Sequence, residues 1–161
     1  MVQPQPPTEL EEAPPWRVLN LPGRGTIRVR DSEGPANRPV VLLLHGATVS
    51  ADVNWYRVYG PVGEKARVVA LDHRGHGHHG LRPDGRVRLE QCADDAAAVA
   101  GALGVEQIVV VGYSMGGAVA QLLWRRHPHL VSGLVLCATA MRFRQTVSEW
   151  VDYTLVRLGE G

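Results

Sequence analysis

Residues 106–117 read EQIVVVGYSMGG. Ile108–Val111 is a continuous β-branched run of the kind that forms a strand buried on both faces. The residues after Ser114 change period: Met115, Ala118, Val119, Leu122 and Leu123 fall on one face of a helix that runs to about Arg126, with Pro128 just past its end. Between the two lies Gly112-Tyr113-Ser114-Met115-Gly116, which fits G-x-S-x-G. The glycines have a steric role. A sharp strand-to-helix turn strains the backbone at the serine, and side chains two positions either way would collide with it. The turn also sets Ser114 at a helix N-terminus, where partial positive charge favours a developing negative charge. A glycine-rich turn with an incidental serine is the competing reading. The strand before and the amphipathic helix after favour a nucleophilic serine.

The same alternation extends outward. Val40–Leu44, Arg67–Leu71 and Leu134–Leu136 read as further buried strands. Arg17–Leu21 and Thr26–Arg30 alternate around PGRG as a hairpin. Trp55–Val62 reads as a short helix. From Leu89 to Leu103, Leu89, Cys92, Ala93, Ala96, Val99, Ala100 and Leu103 share a helical face, with Asp94 and Asp95 away from it, and Gly104 stops the helix. Buried strands alternating with helices define an α/β fold with a mostly parallel sheet and flanking helices. Ligands bind such sheets at the carboxyl ends of the strands. Three strands end there in HGAT, DHRGHG and GYSMGG, which predicts one site fed by three loops.

A turn at His45-Gly46-Ala47 can aim a backbone N–H at the point served by the N–H of Met115, and two such donors make an oxyanion hole. His45 is read as a structural histidine, and His45, Gly46 and Tyr113 are assigned to the pocket or its frame. His73, His76, His78 and His79 crowd one glycine-rich loop. Histidines can ligate transition metals, but this spacing favours a solvated loop at the pocket rim, and no metal or other cofactor is expected.

On these motifs the chain resembles the α/β-hydrolase superfamily, in its broad esterase, lipase and peroxidase-like group of serine hydrolases. HGAT, LDHRGHG, GYSMGG and RRHPHLVSGLVLCATA carry the resemblance over about Val18 to Ala140. It implies Ser114 as nucleophile, the N–H groups of Ala47 and Met115 as oxyanion hole, and an acyl-serine route for a small ester or acyl substrate. Asp72, Arg74 and Gly75 fit the family's D-x-R-G loop, with Asp72 and Arg74 read as a pair that pins it. Dehalogenases and epoxide hydrolases of this fold use an aspartate in the elbow, so the serine argues against those activities.

The resemblance also implies a triad in the chain order Ser, Asp or Glu, His. After Ser114 the sequence has only His127 and His129, and no acid separates Ser114 from either. At about 1.5 Å per helical residue, His127 lies roughly 20 Å from Ser114. The chain therefore reads as the N-terminal part of the fold, truncated after about the sixth strand. Residues 1–15 would be a disordered Pro-rich leader, 16–143 the core, and 144–161 the start of a cap helix. Such a chain is expected to be inactive alone, and to self-associate through an exposed sheet edge. A non-catalytic remnant is the second reading, and an acyltransferase or perhydrolase using the same serine a third.

Composition bounds the remaining choices. The chain has 161 residues, 45% of them hydrophobic, and a net charge of +1. That is one globular domain with no surface suited to nucleic acid. The longest apolar runs are too short to span a bilayer. The N-terminus lacks the basic start and apolar core of a secretory signal, so a cytoplasmic location is expected. Cys92 and Cys137 make no disulfide framework and read as small buried hydrophobes.

Overall fold

Strand Val40–Leu44 shows why a parallel sheet follows from this sequence. Leu42 and Leu44 face one hydrophobic layer with Val69, Val110, Val119 and Leu123, while Leu43 faces another with Val68, Trp55 and Tyr59. With both faces covered, every position is apolar and the alternation disappears. A computed structural model describes residues 13–35, 37–83 and 85–140. Its elements are β1 (Trp16–Leu21), β2 (Gly25–Asp31), β3 (Val40–Leu44), α1 (Ala51–Trp55), α2 (Tyr59–Gly63), β4 (Arg67–Leu71), α3 (Leu89–Ala102), β5 (Ile108–Tyr113), α4 (Met115–Arg126) and β6 (Val131–Cys137).

The six strands form one sheet in the order β1-β2-β4-β3-β5-β6. β3, β4, β5 and β6 are parallel, and the β1–β2 hairpin joins antiparallel to β4. The core lies on both faces. α3 and α4 cover one, with Cys92, Ala93, Ala96, Val99 and Ala100 of α3 buried, and α1 and α2 cover the other. Of the leader read over 1–15, residues 13–15 are described: Ala13 packs on the α1–α2 side, and the Pro14 and Pro15 carbonyls accept hydrogen bonds from Arg30 and the Asp31 N–H. The remainder of the leader and the cap helix lie outside the described residues.

The structure corrects several expectations. The helix expected over Trp55–Val62 is two short helices, the first capped by the Ser50 side chain, which accepts from the Val53 N–H. The strand expected over Leu134–Leu136 runs from Val131 to Cys137. It is not buried: Val135 and Leu136 are exposed, because β6 is the outer strand among the described residues. Asp95, expected on the solvent side of its helix, is 1% exposed. Cys92 is buried, but Cys137 only half so.

Asp95 is buried because it has partners. Its carboxylate receives Nε and Nη2 of Arg74, both at 2.9 Å, and Nη1 of Arg24 at 2.8 Å. Arg74 therefore pairs with α3 and not with Asp72. Asp72 binds backbone instead, accepting the N–H of Ala51 at 2.7 Å and of His79 at 3.3 Å. Together the two acids pin the loop after β4 to α3 and to the start of α1.

Candidate active site

Ser114 ends β5 with φ 51° and ψ −114°. This is the conformation of the first central residue of a type II′ turn, where glycine is usual. A serine held there stores on the order of 1–3 kcal/mol of strain. Replacing Ser114 with glycine is therefore expected to stabilise the fold by about 1 kcal/mol, once glycine's extra unfolded-state freedom is subtracted; denaturant unfolding checks this.

The neighbouring glycines hold the turn by close approach. A Cβ on Gly112 would strike the Gly116 carbonyl, and one on Gly116 would strike the Leu44 and His45 carbonyls. One on Gly117 would strike Thr139. The elbow is thus wedged between the ends of β3 and β6. The Ser114 N–H donates to the Cys137 carbonyl at 2.9 Å. Ser114 is half-buried, and its Oγ makes no hydrogen bond among the described residues.

The loop after β3 lies against this serine. A Cβ on Gly46 would stand 3.5 Å from Cβ of Ser114 and 3.1 Å from Cδ1 of Tyr113. The Gly46 N–H is committed to Oδ1 of Asn54 at 3.0 Å. The N–H groups of Ala47 and Met115 have no partner among the described residues. Thr48 turns the loop with φ 63°. The structure therefore brings Ser114, Met115, Tyr113, Gly46 and Ala47 together at the carboxyl ends of β3 and β5. Tyr113 is 42% exposed at the rim.

His45 belongs to the frame beneath this loop. Its Nδ1 lies 2.6 Å from the Gly46 carbonyl, and its Nε2 accepts the His73 N–H at 2.8 Å. Those partners assign the proton to Nδ1, which leaves Nε2 occupied and unable to act as a base. Burial lowers the His45 pKa to about 4, against the opposing effects of the Gly46 carbonyl and the Asp72 charge. The His73 ring packs 4.4 Å from that of His45 and is fully buried, with no partner for either ring nitrogen among the described residues. Burial lowers its pKa well below the ordinary value. The loop expected to be solvated thus buries one of its histidines. The signal available in sequence was the position of His73, directly after the buried β4 and Asp72.

These histidines predict acid lability. An unfolded imidazole titrates near 6.5, while folded His45 titrates at about 4. Between those values the unfolded state binds more protons, so stability falls as pH falls. The loss from His45 is about 3 kcal/mol across that window, with His73 adding in the same direction. Asp94, held at about 2 chiefly by Arg126, loses its charge only below the window. Urea midpoints at pH 7 and pH 4 are expected to differ accordingly. Replacing His73 with leucine is expected to shrink the difference and raise stability at pH 7 by about 1–3 kcal/mol, because two unsatisfied buried nitrogens disappear.

A parallel sheet with a strained serine elbow packed against the loop after β3 is the arrangement of an α/β hydrolase. Residues 39–156 match the family described as alpha/beta hydrolase fold, and the chain belongs to that family. It is 34% identical over 124 residues to epoxide hydrolase B of Mycobacterium tuberculosis, covering 74% of this chain and 34% of that protein. It is 38% identical over 96 residues to a bifunctional esterase/perhydrolase of Acinetobacter calcoaceticus, covering 60% of this chain and 34% of that protein. A solved hydrolase from Pseudomonas aeruginosa superposes with a TM-score of 0.76 at 25% identity, covering 89% of this chain and 52% of the other. The chain thus spans about a third of these curated relatives and about half of that structure. Among the described residues no helix is long and apolar enough to cross a membrane.

Proposed function

We propose that this protein is a serine hydrolase of carboxylic esters or related acyl compounds, with Ser114 as nucleophile. The observation that carries the reading is the strained Ser114 at the end of β5, its Oγ uncommitted, beside the free N–H groups of Ala47 and Met115. Oγ would attack the substrate carbonyl carbon as its proton passes to a base. The carbonyl oxygen would take up the electron pair and be held by those two N–H groups. Collapse would expel the alcohol, with a proton returned to it, and leave an acyl-serine that water cleaves. A serine at this position supports ester over epoxide chemistry, which the family resemblance assigns to an aspartate nucleophile.

The base and its acid are placed, in this reading, in the part of the fold that longer relatives carry beyond these 161 residues. All seven histidines of the chain fall among the described residues, and none hydrogen-bonds to Ser114. That observation favours a second reading for these residues taken alone, a catalytically incomplete scaffold. Passing the acyl group to an alcohol or peroxide in place of water would make an acyltransferase or perhydrolase, a reading supported by the likeness to the esterase/perhydrolase. Peracid formation with added hydrogen peroxide distinguishes that outcome.

A fluorophosphonate probe tests the serine. The product of the complete open reading frame that contains this chain is expected to gain one phosphonyl group, read by intact mass, and its Ser114→Ala variant none. Equal labelling of both would sink the assignment. The 161 residues alone are expected to remain unlabelled, and labelling there would refute the incomplete-scaffold reading. The exposed β6 edge, with Val135 and Leu136 uncovered, supports pairing between copies of this chain. Sedimentation velocity at rising concentration is expected to show dimers or larger species, and a concentration-independent monomer would contradict it.

A further inference from the structure

On the same edge of the sheet as Ser114, but toward the hairpin, a groove of about 480 Å³ opens between the start of β2 and residues 78–82. Val29 of β2 pairs with Leu71, so residues 25–28 run past the carboxyl end of β4. At about 4.8 Å per strand step, three steps place this groove roughly 15 Å from the β5 elbow. Arg24, Arg28, Arg82, His78 and His79 line it, over the buried side chains of Ile27 and Leu81, and no aspartate or glutamate among the described residues does. Of the nearby described acids, Asp95 holds Arg24, Asp72 receives the His79 N–H, and Asp52, paired with Arg30, also acts on His79. Arg28 and Arg82 are exposed, and neither has a carboxylate partner among the described residues.

The walls are held in place. The Arg28 N–H donates to the His79 carbonyl at 3.3 Å, joining β2 to the opposite loop. The Arg28 guanidinium lies 5.2 Å from the centroid of the Trp16 ring, and the His79 ring meets the same indole edge-on at 4.3 Å. One aromatic platform therefore positions two cationic or proton-donating groups side by side. The Arg82 carbonyl is fixed by Nη1 of Arg74 at 3.2 Å, which anchors the far wall to the buried Arg74–Asp95 pair. The charge of Arg28 opposes protonation of His79, after the larger effect of burial. Two exposed guanidinium groups without a carboxylate partner among the described residues can take an anion between them, and the guanidinium fork matches the oxygens of carboxylate and phosphate groups.

We propose that the groove between β2 and residues 78–82 binds an oxyanionic group, a phosphate or a carboxylate, between Arg28 and Arg82 with His79 beside it. The inference does not depend on Ser114 being a nucleophile, and its test involves no catalysis. Inorganic phosphate and acetate are titrated separately into the 161-residue chain at pH 7, with chloride at matched ionic strength as the control. Ring C–H resonances of His78 and His79 are followed by NMR. A saturable shift with phosphate or acetate is expected, together with a rise in the His79 titration midpoint. Stronger phosphate binding would identify a tetrahedral anion as the ligand chemistry, and stronger acetate binding a carboxylate. Arg28→Gln and Arg82→Gln, both at exposed positions, are each expected to weaken binding about tenfold, as loss of a charge-assisted hydrogen bond would. Shifts that stay linear and equal those with chloride would overturn the proposal. So would unchanged affinity in the Arg28→Gln/Arg82→Gln double variant, with its fold verified by circular dichroism.

Discussion

Replacing Ser114 with alanine is expected to reduce p-nitrophenyl ester hydrolysis by the complete gene product by about 10⁴- to 10⁶-fold, the range seen when a hydrolase loses its nucleophile. Substrate binding and the two backbone donors remain, so a small residual rate above water is expected. Alanine keeps the Cβ and therefore the same backbone strain at φ 51°. Stability should change by only a few tenths of a kcal/mol, well inside the range of a neutral substitution. The combination separates chemistry from folding: turnover collapses while the urea midpoint stays. A variant that retained activity within tenfold of the parent would remove Ser114 from the mechanism.

The second large effect is structural. Asp95→Ala is expected to destabilise the protein by about 3–5 kcal/mol, because it removes the buried carboxylate that holds Nε and Nη2 of Arg74 and Nη1 of Arg24. The Arg74 side chain is 9% exposed and Asp95 1%, so solvent cannot replace the lost carboxylate. Against a total stability of about 5–15 kcal/mol, that loss brings the chain close to unfolding. Asp95→Asn keeps one acceptor and should cost less. Replacing both partners, Arg74→Met with Asp95→Leu, should recover much of the loss, since apolar side chains of similar volume need no counter-charge. Urea unfolding of the three variants checks the order. If the double replacement were as unstable as Asp95→Ala, the stranded charge would not be the cause.

The strands and the elbow were legible because their signals are local. Ile108–Val111 and Val40–Leu44 need cover on both faces, and that need appears as unbroken apolar sequence. The glycines around Ser114 report a steric demand made by the turn itself. What escaped the sequence reading depends on residues far apart in the chain. Asp95 looks like a solvent-facing acid until Arg74, 21 positions away, folds beside it. His73 looks like loop until the first residues after β4 prove to be buried against His45. The exposure of β6 does not show in its own residues, since an apolar strand reads alike whether or not another covers it; the expected sheet edge rests instead on its being the last strand legible. For the site, the serine elbow and the loop bearing Ala47 could be read directly. The spare state of the Ala47 and Met115 N–H groups, and the occupied Nε2 of His45, needed coordinates.

The placement of Ser114 at the inner boundary of β6 has a consequence for its motion. Ser114 hangs by its own N–H from the Cys137 carbonyl, Gly117 lies under Thr139, and the Gln121 side chain reaches the Ala140 carbonyl at 2.9 Å. Outer strands open more readily than central ones. Each time the end of β6 frays, the Ser114 amide is released to solvent, so its deuterium uptake times the opening of the strand beside it. A strand laid against the free side of β6 would slow that uptake without touching the serine. The rigidity of the elbow is therefore set in part from the sheet's outer margin.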